Sequence, residues 1–259
     1  MKNLKVSVLI ANYNNQKYIN ECIRSLQNQT YKNIEIIFHD DFSSDNSLNK
    51  INKFKNIKII KNKKRNRVGS FNQIEAYKRA FKKSTGDIIF LLDSDDFFAK
   101  NKIEKIVKFF SYNKKLVSVF DLPILKYKKN LIFKKNKKKI IKNFWPYIPP
   151  QSCISIRRKN FIKIIGNIDY KIFPDIWMDF RIALYLIYVY KNFFILEQNL
   201  TYYRQSANMI SSEFSFFSIS WLKRRMQAHK YIRYFFLKQK ITYHRNLDYF
   251  LTSIINYFI

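Results

Sequence analysis

Glycine, proline and cysteine are scarce in this chain, which has three, five and two of them in 259 residues. The scarcity of glycine and proline excludes a collagen-like chain and a Gly/Pro-rich disordered one. Cys22 and Cys153 stand far apart without CxxC or Cys/His ligand spacing, which argues against a disulfide framework and a structural zinc site. An apolar fraction of 47% is typical of a globular protein, and the length predicts one large or two small domains.

Long apolar runs and a cleavable leader are also missing from the sequence. The longest apolar stretch, 182–190, is about half of the roughly 20 residues that a bilayer span requires, so no transmembrane helix is expected. Residues 1–10 lack the long hydrophobic region and small-residue cleavage site of a signal peptide. We therefore expect a cytoplasmic protein.

Acidic residues are few, since 18 Asp and Glu stand against 49 Lys and Arg, giving a formal net charge of +31. Such a surface attracts polyanions, namely nucleic acid, an anionic membrane face or phosphorylated ligands. An AT-rich coding sequence would produce the same excess of lysine, so the charge does not by itself identify the partner. No helix-turn-helix, RNP or zinc pattern is present, and we expect no nucleic acid.

Short apolar runs alternate with amphipathic stretches over the first half of the chain. This alternation predicts an α/β fold with a Rossmann-like, mostly parallel sheet flanked by helices. Strands are predicted at 5–11, 34–38, 57–60 and 87–92, with helices at 16–27, 45–54, 70–84 and 101–110. Asp45 is predicted to cap the second helix, and Ser70 and Gln73 to form a capping box for the third.

The second half combines a lysine-rich segment with further helices. Residues 126–142 are predicted to form a basic hairpin or a mobile loop, 158–165 and 175–190 helices, and 193–196 a strand. From residue 214 onward the chain is predicted to be helical with one apolar stripe. The stripe contains Phe214, Phe217, Trp221, Ala228, Ile232 and Phe235, and the cations largely outside it are Lys223, Arg224, Lys230 and Arg233. Such helices fit either an interfacial anchor at an anionic membrane or a face packed on the rest of the protein.

Polar clusters follow three of the predicted strands: Tyr13-Asn14, Asp40-Asp41 and Asp93-Ser94-Asp95-Asp96. Ligands of open α/β sheets collect at the carboxyl ends of strands, so these clusters are expected at one edge. Crowded carboxylates repel one another unless a cation offsets their charge. Mg²⁺ typically uses one or two carboxylates and the phosphates of a substrate, so the DSDD sequence indicates a metal–diphosphate site. The alternative is a solvated acidic turn that caps the next helix.

Two runs of sequence carry these motifs in order, VSVLIANYNNQKYINECIRSLQNQTYKNIEIIFHDDFSSDNS and GSFNQIEAYKRAFKKSTGDIIFLLDSDD. The strand, YN, DD and DSDD occur at the spacing of family 2 inverting glycosyltransferases, whose nucleotide-sugar domain this chain resembles. The resemblance is dense from about residue 5 to 98 and sparse to about 212. It implies a GT-A type domain at 1–212, with a nucleotide-sugar part at 1–121, an acceptor part at 122–212 and basic-aromatic helices at 213–259.

The resemblance also implies roles for individual residues. Those expected around the nucleotide sugar are Ala11, Asn12, Tyr13, Asp41, Asp93 and Arg204. In this assignment Asp41 accepts the base N–H, Asp93 faces the ribose, and Asp40 is structural or lies at the pocket edge. Asp95 would coordinate Mn²⁺ or Mg²⁺, although a shift of the motif by one residue would give that task to Asp96, and the sequence leaves both open.

The catalytic base that the resemblance implies is Asp179, in the sequence FPDIWMDFR. Met178 stands where the family commonly has Glu, so the acidic pair is incomplete, and Asp175 and Asp169 are alternative bases. A structural reading pairs Asp179 with Arg181 on the surface. Trp177 is a candidate for stacking on an acceptor sugar or for the core.

The function expected from the resemblance is transfer of a sugar from a nucleoside-diphosphate sugar, with UDP favoured, to a hydroxyl of a glycan or lipid-linked acceptor. The reaction needs stabilisation of the departing diphosphate and a base for the attacking hydroxyl. Synthesis of a cell-surface polysaccharide, lipopolysaccharide or glycoconjugate, on the inner face of the cytoplasmic membrane, is the setting implied. The alternatives are a catalytically impaired membrane-surface adaptor and a basic nucleic-acid-binding protein.

Overall fold

The computed structural model describes residues 3–126, 130–132, 146, 149–204 and 214–259. The strands there are β1 (Val6–Asn12), β2 (Ile34–Asp40), β3 (Ile57–Lys61), β4 (Ile88–Asp93), β5 (Phe97–Phe98), β6 (Ser118–Lys126), β7 (Asn130–Ile132), β8 (Ile154–Arg157) and β9 (Phe193–Arg204). The helices are α1 (Ile19–Gln27), α2 (Ser47–Ile51), α3 (Gly69–Lys82), α4 (Lys102–Tyr112), α5 (Arg158–Gly166), α6 (Met178–Leu184), α7 (Ile219–Lys238) and α8 (Leu247–Tyr257). The predicted α/β class is confirmed.

The strands described form one sheet in the order β3-β2-β1-β4-β8-β6-β9-β5, with β7 paired to β6. The β3-β2-β1-β4 half is parallel, and β8 joins it antiparallel to both β4 and β6. Alternating side chains of the central strands feed two cores, so that Val8 and Phe90 pack on one face and Leu9 and Leu91 on the other. The sheet is therefore buried on both faces, as crossover helices require.

The carboxyl ends of β1, β2 and β4 meet at one edge, as predicted. Ala11 pairs with Asp93 across the β1–β4 ladder, and Asn12 pairs with Asp40 across β1–β2. Because the strands are parallel and in register, the residues that follow them converge on the same rim.

Several local predictions differ from the structure. No capping box opens α3, because Val68 precedes the helix and the Gln73 side chain instead donates to Asp93. The helix predicted at 175–190 begins only at Met178 and continues as a π-helical turn over Tyr185–Tyr190. Strands β6 and β8 were not predicted. Of the lysine-rich segment, residues 130–132 form β7, and 127–129 and 133–142 lie outside the described residues.

Helix α7 packs against the rest of the protein, which is one of the two alternatives predicted for the last helices. Its Ala228, Tyr231, Ile232 and Phe235 are buried in the same core as residues of α3, β4 and α6. Phe217, at the start of the predicted stripe, is exposed. No helix among the residues described is long and apolar enough to cross a membrane.

A buried ion pair lies beneath the edge where the strands end. The ammonium of Lys102, at the start of α4, lies 2.9 Å from Asp121 Oδ1 on β6, and both side chains are fully buried. Lys102 also donates to the Ser152 carbonyl at 2.7 Å and to Thr201 Oγ1 on β9 at 2.6 Å. One cation thus ties α4, β6, β9 and the turn at Gln151–Cys153 together.

We expect Lys102→Met to lower the free energy of unfolding by about 3–5 kcal/mol, because it leaves the Asp121 carboxylate buried without its cation. Urea denaturation at pH 7 measures the loss. The matched control is Lys108→Met on the same helix, where an exposed pair with Glu104 is expected to contribute less than about 1 kcal/mol. The double variant Lys102→Met/Asp121→Leu should recover most of the loss. A loss of stability in Lys102→Met that is smaller than the loss in Lys108→Met would contradict this role.

Candidate active site

A cavity of about 430 Å³ opens at the rim where β1, β2 and β4 end. Its lining combines aromatic side chains with carboxylates, amides and two arginines. The lining residues are Ala11, Asn12, Tyr13, Asn15, Asp41, Arg65, Gly69, Asn72, Gln73, Ala76, Asp93, Asp95, Gln151, Trp177, Asp179, Tyr203 and Arg224. The cavity therefore brings together Ala11, Asn12, Tyr13, Asp41, Asp93, Asp95 and Asp179 of the predicted set, whereas Asp96 and Arg204 are not in its lining.

One part of the cavity presents a hydrogen-bond acceptor, hydrogen-bond donors and an aromatic ring. The nearly buried carboxylate of Asp41 accepts from Asn62 Nδ2 and from Arg65 Nε, each at 2.9 Å. The Arg65 guanidinium lies over the Tyr13 ring, 3.5 Å from its centroid. Burial raises the pKa of Asp41, and the two donors counteract that rise.

Asp40 has a structural role in the turn that carries Asp41. Its Oδ1 accepts from Asn12 Nδ2 at 2.7 Å and from Ser43 Oγ at 2.7 Å, and its Oδ2 accepts from the Ser43 N–H at 3.0 Å. Asp40 is fully buried and outside the cavity lining. The loop after β2 is thereby fixed with Asp41 facing the cavity.

Helix α3 and the turn before β8 orient Asp93. Its Oδ1 accepts from Gln73 Nε2 at 2.9 Å, from Tyr77 Oη at 2.9 Å and from Gln151 Nε2 at 3.3 Å. Gln73 and Tyr77 are four residues apart and therefore lie on one face of α3. Burial raises the pKa of Asp93, and the three donors counteract the rise.

The two remaining carboxylates of the DSDD sequence point in different directions. Asp96 is 1% exposed, with Oδ2 accepting from Ser152 Oγ at 2.6 Å and Oδ1 accepting from the Arg204 N–H at 2.8 Å. Asp95 is half-buried and lines the cavity. Burial, reinforced by the neighbouring Asp93 charge, raises the pKa of Asp95 to about 7. Of the two alternatives left open by the sequence, Asp95 is therefore the one that faces the cavity.

Arg204 is turned away from the cavity. Its guanidinium pairs with Glu21 of α1, donates to the Asp95 carbonyl and lies over the rings of Tyr18 and Phe97. Arg204, expected from the sequence among the residues around the nucleotide sugar, is therefore not part of the cavity lining. Its neighbour Tyr203 lines the cavity instead.

Asp179, at the start of α6, lines the cavity that also contains Asp93 and Asp95. Its Oδ1 accepts from the Phe180 N–H at 2.7 Å. Burial raises the pKa of Asp179 to about 7, while the charge of Arg224 opposes the rise and that of Asp93 adds to it. A carboxyl group with this pKa has the proton affinity of a general base at neutral pH.

The alternative bases are held elsewhere by α7. Asp175 Oδ2 accepts from Gln227 Nε2 at 2.9 Å, and Asp169 Oδ2 accepts from Lys238 Nζ at 2.5 Å and from Tyr234 Oη at 3.0 Å. Neither carboxylate lines the cavity. The reading that paired Asp179 with Arg181 is wrong, because Arg181 is fully buried and donates to the carbonyls of Ile168, Phe173 and Ile176.

Comparisons with known proteins identify the family of this chain. The profile described as "Glycosyl transferase family 2" matches residues 7–176, about two thirds of the chain. The chain belongs to glycosyl transferase family 2. An uncharacterised glycosyltransferase of Nostoc sp. is 28% identical over 220 residues, which cover 78% of this chain and 65% of the relative. The E. coli UDP-Glc:alpha-D-GlcNAc-diphosphoundecaprenol beta-1,3-glucosyltransferase WfaP is 39% identical over 109 residues, 42% of either chain. The chain thus spans less than two thirds of the length of these relatives.

Solved structures share the fold of this family 2 glycosyltransferase. S. aureus TarS 1–349 in complex with UDP-GlcNAc matches with a TM-score of 0.64 at 16% identity, covering 88% of this chain and 66% of that one. The mannosyltransferase PcManGT from Pyrobaculum calidifontis, in complex with GDP-Man and Mn²⁺, matches with a TM-score of 0.59 at 13% identity, covering 95% and 67%. At such identities the likeness shows the fold alone, and it confirms the GT-A type expected from the sequence.

Asp95 is also the residue of this family 2 glycosyltransferase that fits a divalent cation. No group of three or more His, Cys, Asp or Glu side chains within the described ranges could hold a metal ion by itself. A hard cation bound by one carboxylate needs further oxygen ligands, and the phosphates of a nucleotide sugar are such ligands. The crowding of Asp95 with Asp93 is the electrostatic feature that a cation would relieve.

Sequence reasoning missed nine residues of the cavity lining, of which Arg224 is the most unexpected. It is only 8% exposed, although helical periodicity placed it outside the apolar stripe of α7. Its guanidinium lies between Trp177 and Phe214, 4.2 and 4.0 Å from their ring centroids, and its Nε donates to the Asp175 carbonyl at 2.9 Å. Arg65, Gln73 and Gln151 are among the others. Only the side-chain contacts of the folded chain distinguish them from the many other arginines and amides.

We expect Asp179→Asn to stabilise the protein at pH 8 by about 1–3 kcal/mol. Because the pKa of Asp179 is raised in the folded state to about 7, ionisation of this buried carboxyl costs folding free energy above that pH. The cost declines as the pH falls from about 7 towards 4, so the advantage of the variant should shrink at pH 5. Asparagine keeps the hydrogen bond from the Phe180 N–H.

Thermal unfolding of both proteins at pH 5 and pH 8 measures this difference. The control is Asp175→Asn, which changes a carboxylate outside the cavity and is not expected to stabilise at either pH. A lower melting temperature of Asp179→Asn at pH 8 would contradict the electrostatic description of this residue.

Proposed function

We propose that this chain is an inverting glycosyltransferase that moves a sugar from a UDP-sugar to a hydroxyl of a glycan or lipid-linked acceptor. The observation that carries the proposal is that Asp41, Asp95 and Asp179 line one cavity. Such a transfer can use one carboxylate to bind the nucleobase, a second to bind a cation and a third to accept the proton of the attacking hydroxyl. Synthesis of a cell-surface polysaccharide or glycoconjugate is the role that the similarity to the E. coli glucosyltransferase WfaP supports.

The donors and acceptors around Asp41 suit a uracil base. Uracil presents an N–H between two carbonyl oxygens, so the Asp41 carboxylate is suited to accept from the N–H. The guanidinium of Arg65, 2.9 Å from Asp41 through Nε, can donate to a neighbouring carbonyl. The Tyr13 ring, which Arg65 now covers, provides an aromatic plane on which the base can stack.

The arrangement of carboxylates supports a single displacement. The acceptor hydroxyl loses its proton to Asp179 as its oxygen bonds to the anomeric carbon, and the electron pair of the breaking bond leaves with the nucleoside diphosphate. Asp41 and Asp93 are each held by two or more donors, so among the described lining residues Asp95 and Asp179 are the carboxylates left to act, the first on a cation and the second as the base. One displacement inverts the anomeric configuration.

Asp95 is the residue proposed to hold Mn²⁺ or Mg²⁺ together with the diphosphate. When bound, the cation offsets the negative charge that the leaving group gains. The residues of the chain bind and orient the donor, and Asp93 is placed by Gln73, Tyr77 and Gln151 to accept from the ribose hydroxyls.

The donor site is tested by isothermal titration of UDP, GDP and dTDP, with and without Mn²⁺. We expect UDP to bind most tightly, the affinity to fall at least tenfold without Mn²⁺, and Asp95→Ala to remove the dependence on the metal. Asp96→Asn is the matched control for charge removal in the same loop, provided that circular dichroism shows it folded. Absence of metal-dependent nucleotide binding would refute the transferase proposal and favour a basic binding protein.

The catalytic base is tested by the kinetics of Asp179→Asn. We expect kcat to fall by about 10²–10⁴, with the affinity for UDP unchanged, because the variant cannot accept the hydroxyl proton. In the wild type, kcat/KM should fall tenfold per pH unit below about 7, where Asp179 takes up a proton, and level off above it. Asp175→Asn should keep both the rate and the pH profile, and an active Asp179→Asn would exclude this base.

A further inference from the structure

Helix α8 turns its apolar side outward and its polar side inward. Its outward face consists of Leu247, Phe250, Leu251 and Ile254, continued by Phe258, which are between 49% and 80% exposed. A helix on the surface of a globular protein normally has the opposite arrangement. We refer to these five residues as the outer face of α8.

Polar contacts with α7 fix this orientation. Asp248 accepts from Arg225 Nη2 at 2.5 Å and bonds His229 Nε2 at 2.8 Å, and Asn256 Nδ2 donates to the Leu222 carbonyl at 3.2 Å. Thr252, between them, is the one residue of α8 that is buried. The polar groups on the inward side are therefore hydrogen-bonded to α7. Rotation of α8 to bury its apolar side would break these hydrogen bonds.

The segment that carries the outer face is strongly basic. Residues 214–259 contain eight lysines and arginines and a single acidic residue, Asp248, which is engaged by Arg225. On α7, Lys223, Lys230 and Arg233 are exposed at spacings of seven and three, which places them on one face of that helix. The outer face of α8 itself carries no charge.

Further apolar side chains extend this surface at one end. The bond from Asn256 to Leu222 brings the end of α8 to the start of α7, next to which Phe216, Phe217 and Ile219 are all exposed. The rings of Phe216 and Phe217 pack against Trp221, 5.1 and 5.5 Å between centroids. Aromatic and aliphatic side chains within a basic frame are the composition of helices that lie in a membrane interface.

We propose that the outer face of α8 binds an anionic lipid surface, lying flat in the headgroup region while the surrounding lysines and arginines contact lipid phosphates. A second copy of the chain fits less well, because it would bring another +31 charge to the same place and stable dimers use about 20 residues a side. An anionic membrane is attracted by the same charges. This proposal does not depend on the transferase reaction.

The test is flotation of the full chain with vesicles of phosphatidylcholine that contain 30% phosphatidylglycerol. We expect the wild type to float with these vesicles at 0.1 M NaCl, at least tenfold less with pure phosphatidylcholine, and less at 0.5 M NaCl because salt screens the attraction. Leu251→Gln/Ile254→Gln should weaken binding at least tenfold. Both side chains are exposed, so the fold does not depend on them.

The matched control is Ile162→Gln/Ile172→Gln, which removes the same kind of exposed apolar area from another part of the protein and should float like the wild type. Metal-dependent binding of UDP, measured on all variants, reports separately on the donor site. Flotation that is absent, independent of the anionic lipid or unchanged in Leu251→Gln/Ile254→Gln overturns the proposal. A wild-type dimer in sedimentation that dissociates in this variant assigns the face to a second copy and also overturns it.

Discussion

The buried ammonium of Lys102 is the interaction on which the geometry of the acidic rim depends. A cation removed from water is tolerated only where its charge and its donors are matched, and here Asp121, the Ser152 carbonyl and Thr201 supply the partners. Ser152, positioned in this way, donates to Asp96 and accepts from the Asp93 N–H at 3.1 Å. The DSDD loop is thus held from below by a network that joins α4, β6, β9 and the turn before β8, and none of these groups needs to touch a ligand.

This support explains how one short acidic sequence produces three different carboxylates. Both carboxylate oxygens of Asp96 accept hydrogen bonds, one from Ser152 of this network and one from the Arg204 N–H. Asp93 is held by α3 and Gln151, and Asp95 faces the cavity. Crowding of like charges raises proton affinity, and burial adds to the effect, so the loop carries unfavourable electrostatic energy in the absence of a cation. The rigid partners keep the side chains from relieving this repulsion by moving apart. The rim is therefore already arranged for the cation and the diphosphate that we propose it binds.

The sequence predicts the part of the site that follows from local pattern. Parallel strands bring their carboxyl ends to one edge, so Tyr13, Asp41 and Asp93 could be placed together from the strand pattern and the family resemblance. The choice between Asp95 and Asp96 depends on Ser152 and on the backbone of Arg204, which are 56 and 108 residues away from Asp96. Helical periodicity places Arg224 outside the apolar stripe. In the structure its guanidinium lies against the rings of Trp177 and Phe214 and donates to the backbone carbonyl of Asp175. The partners that bury this residue come from other parts of the chain, and the periodicity of one helix does not reveal them.

Helix α7 connects the part of the cavity lined by Arg224 with the outer face of α8. Successive residues of a helix point about 100° apart, so Arg224 reaches the cavity between Trp177 and Phe214 while Arg225 holds Asp248 of α8. The same helix fixes Asp175 through Gln227 and Asp169 through Lys238, which leaves Asp179 as the carboxylate of this region that faces the cavity. The position of α8 relative to Asp179 is therefore set by one helix with buried contacts along its length. A membrane bound by the outer face of α8 would for that reason lie at a fixed position relative to the cavity.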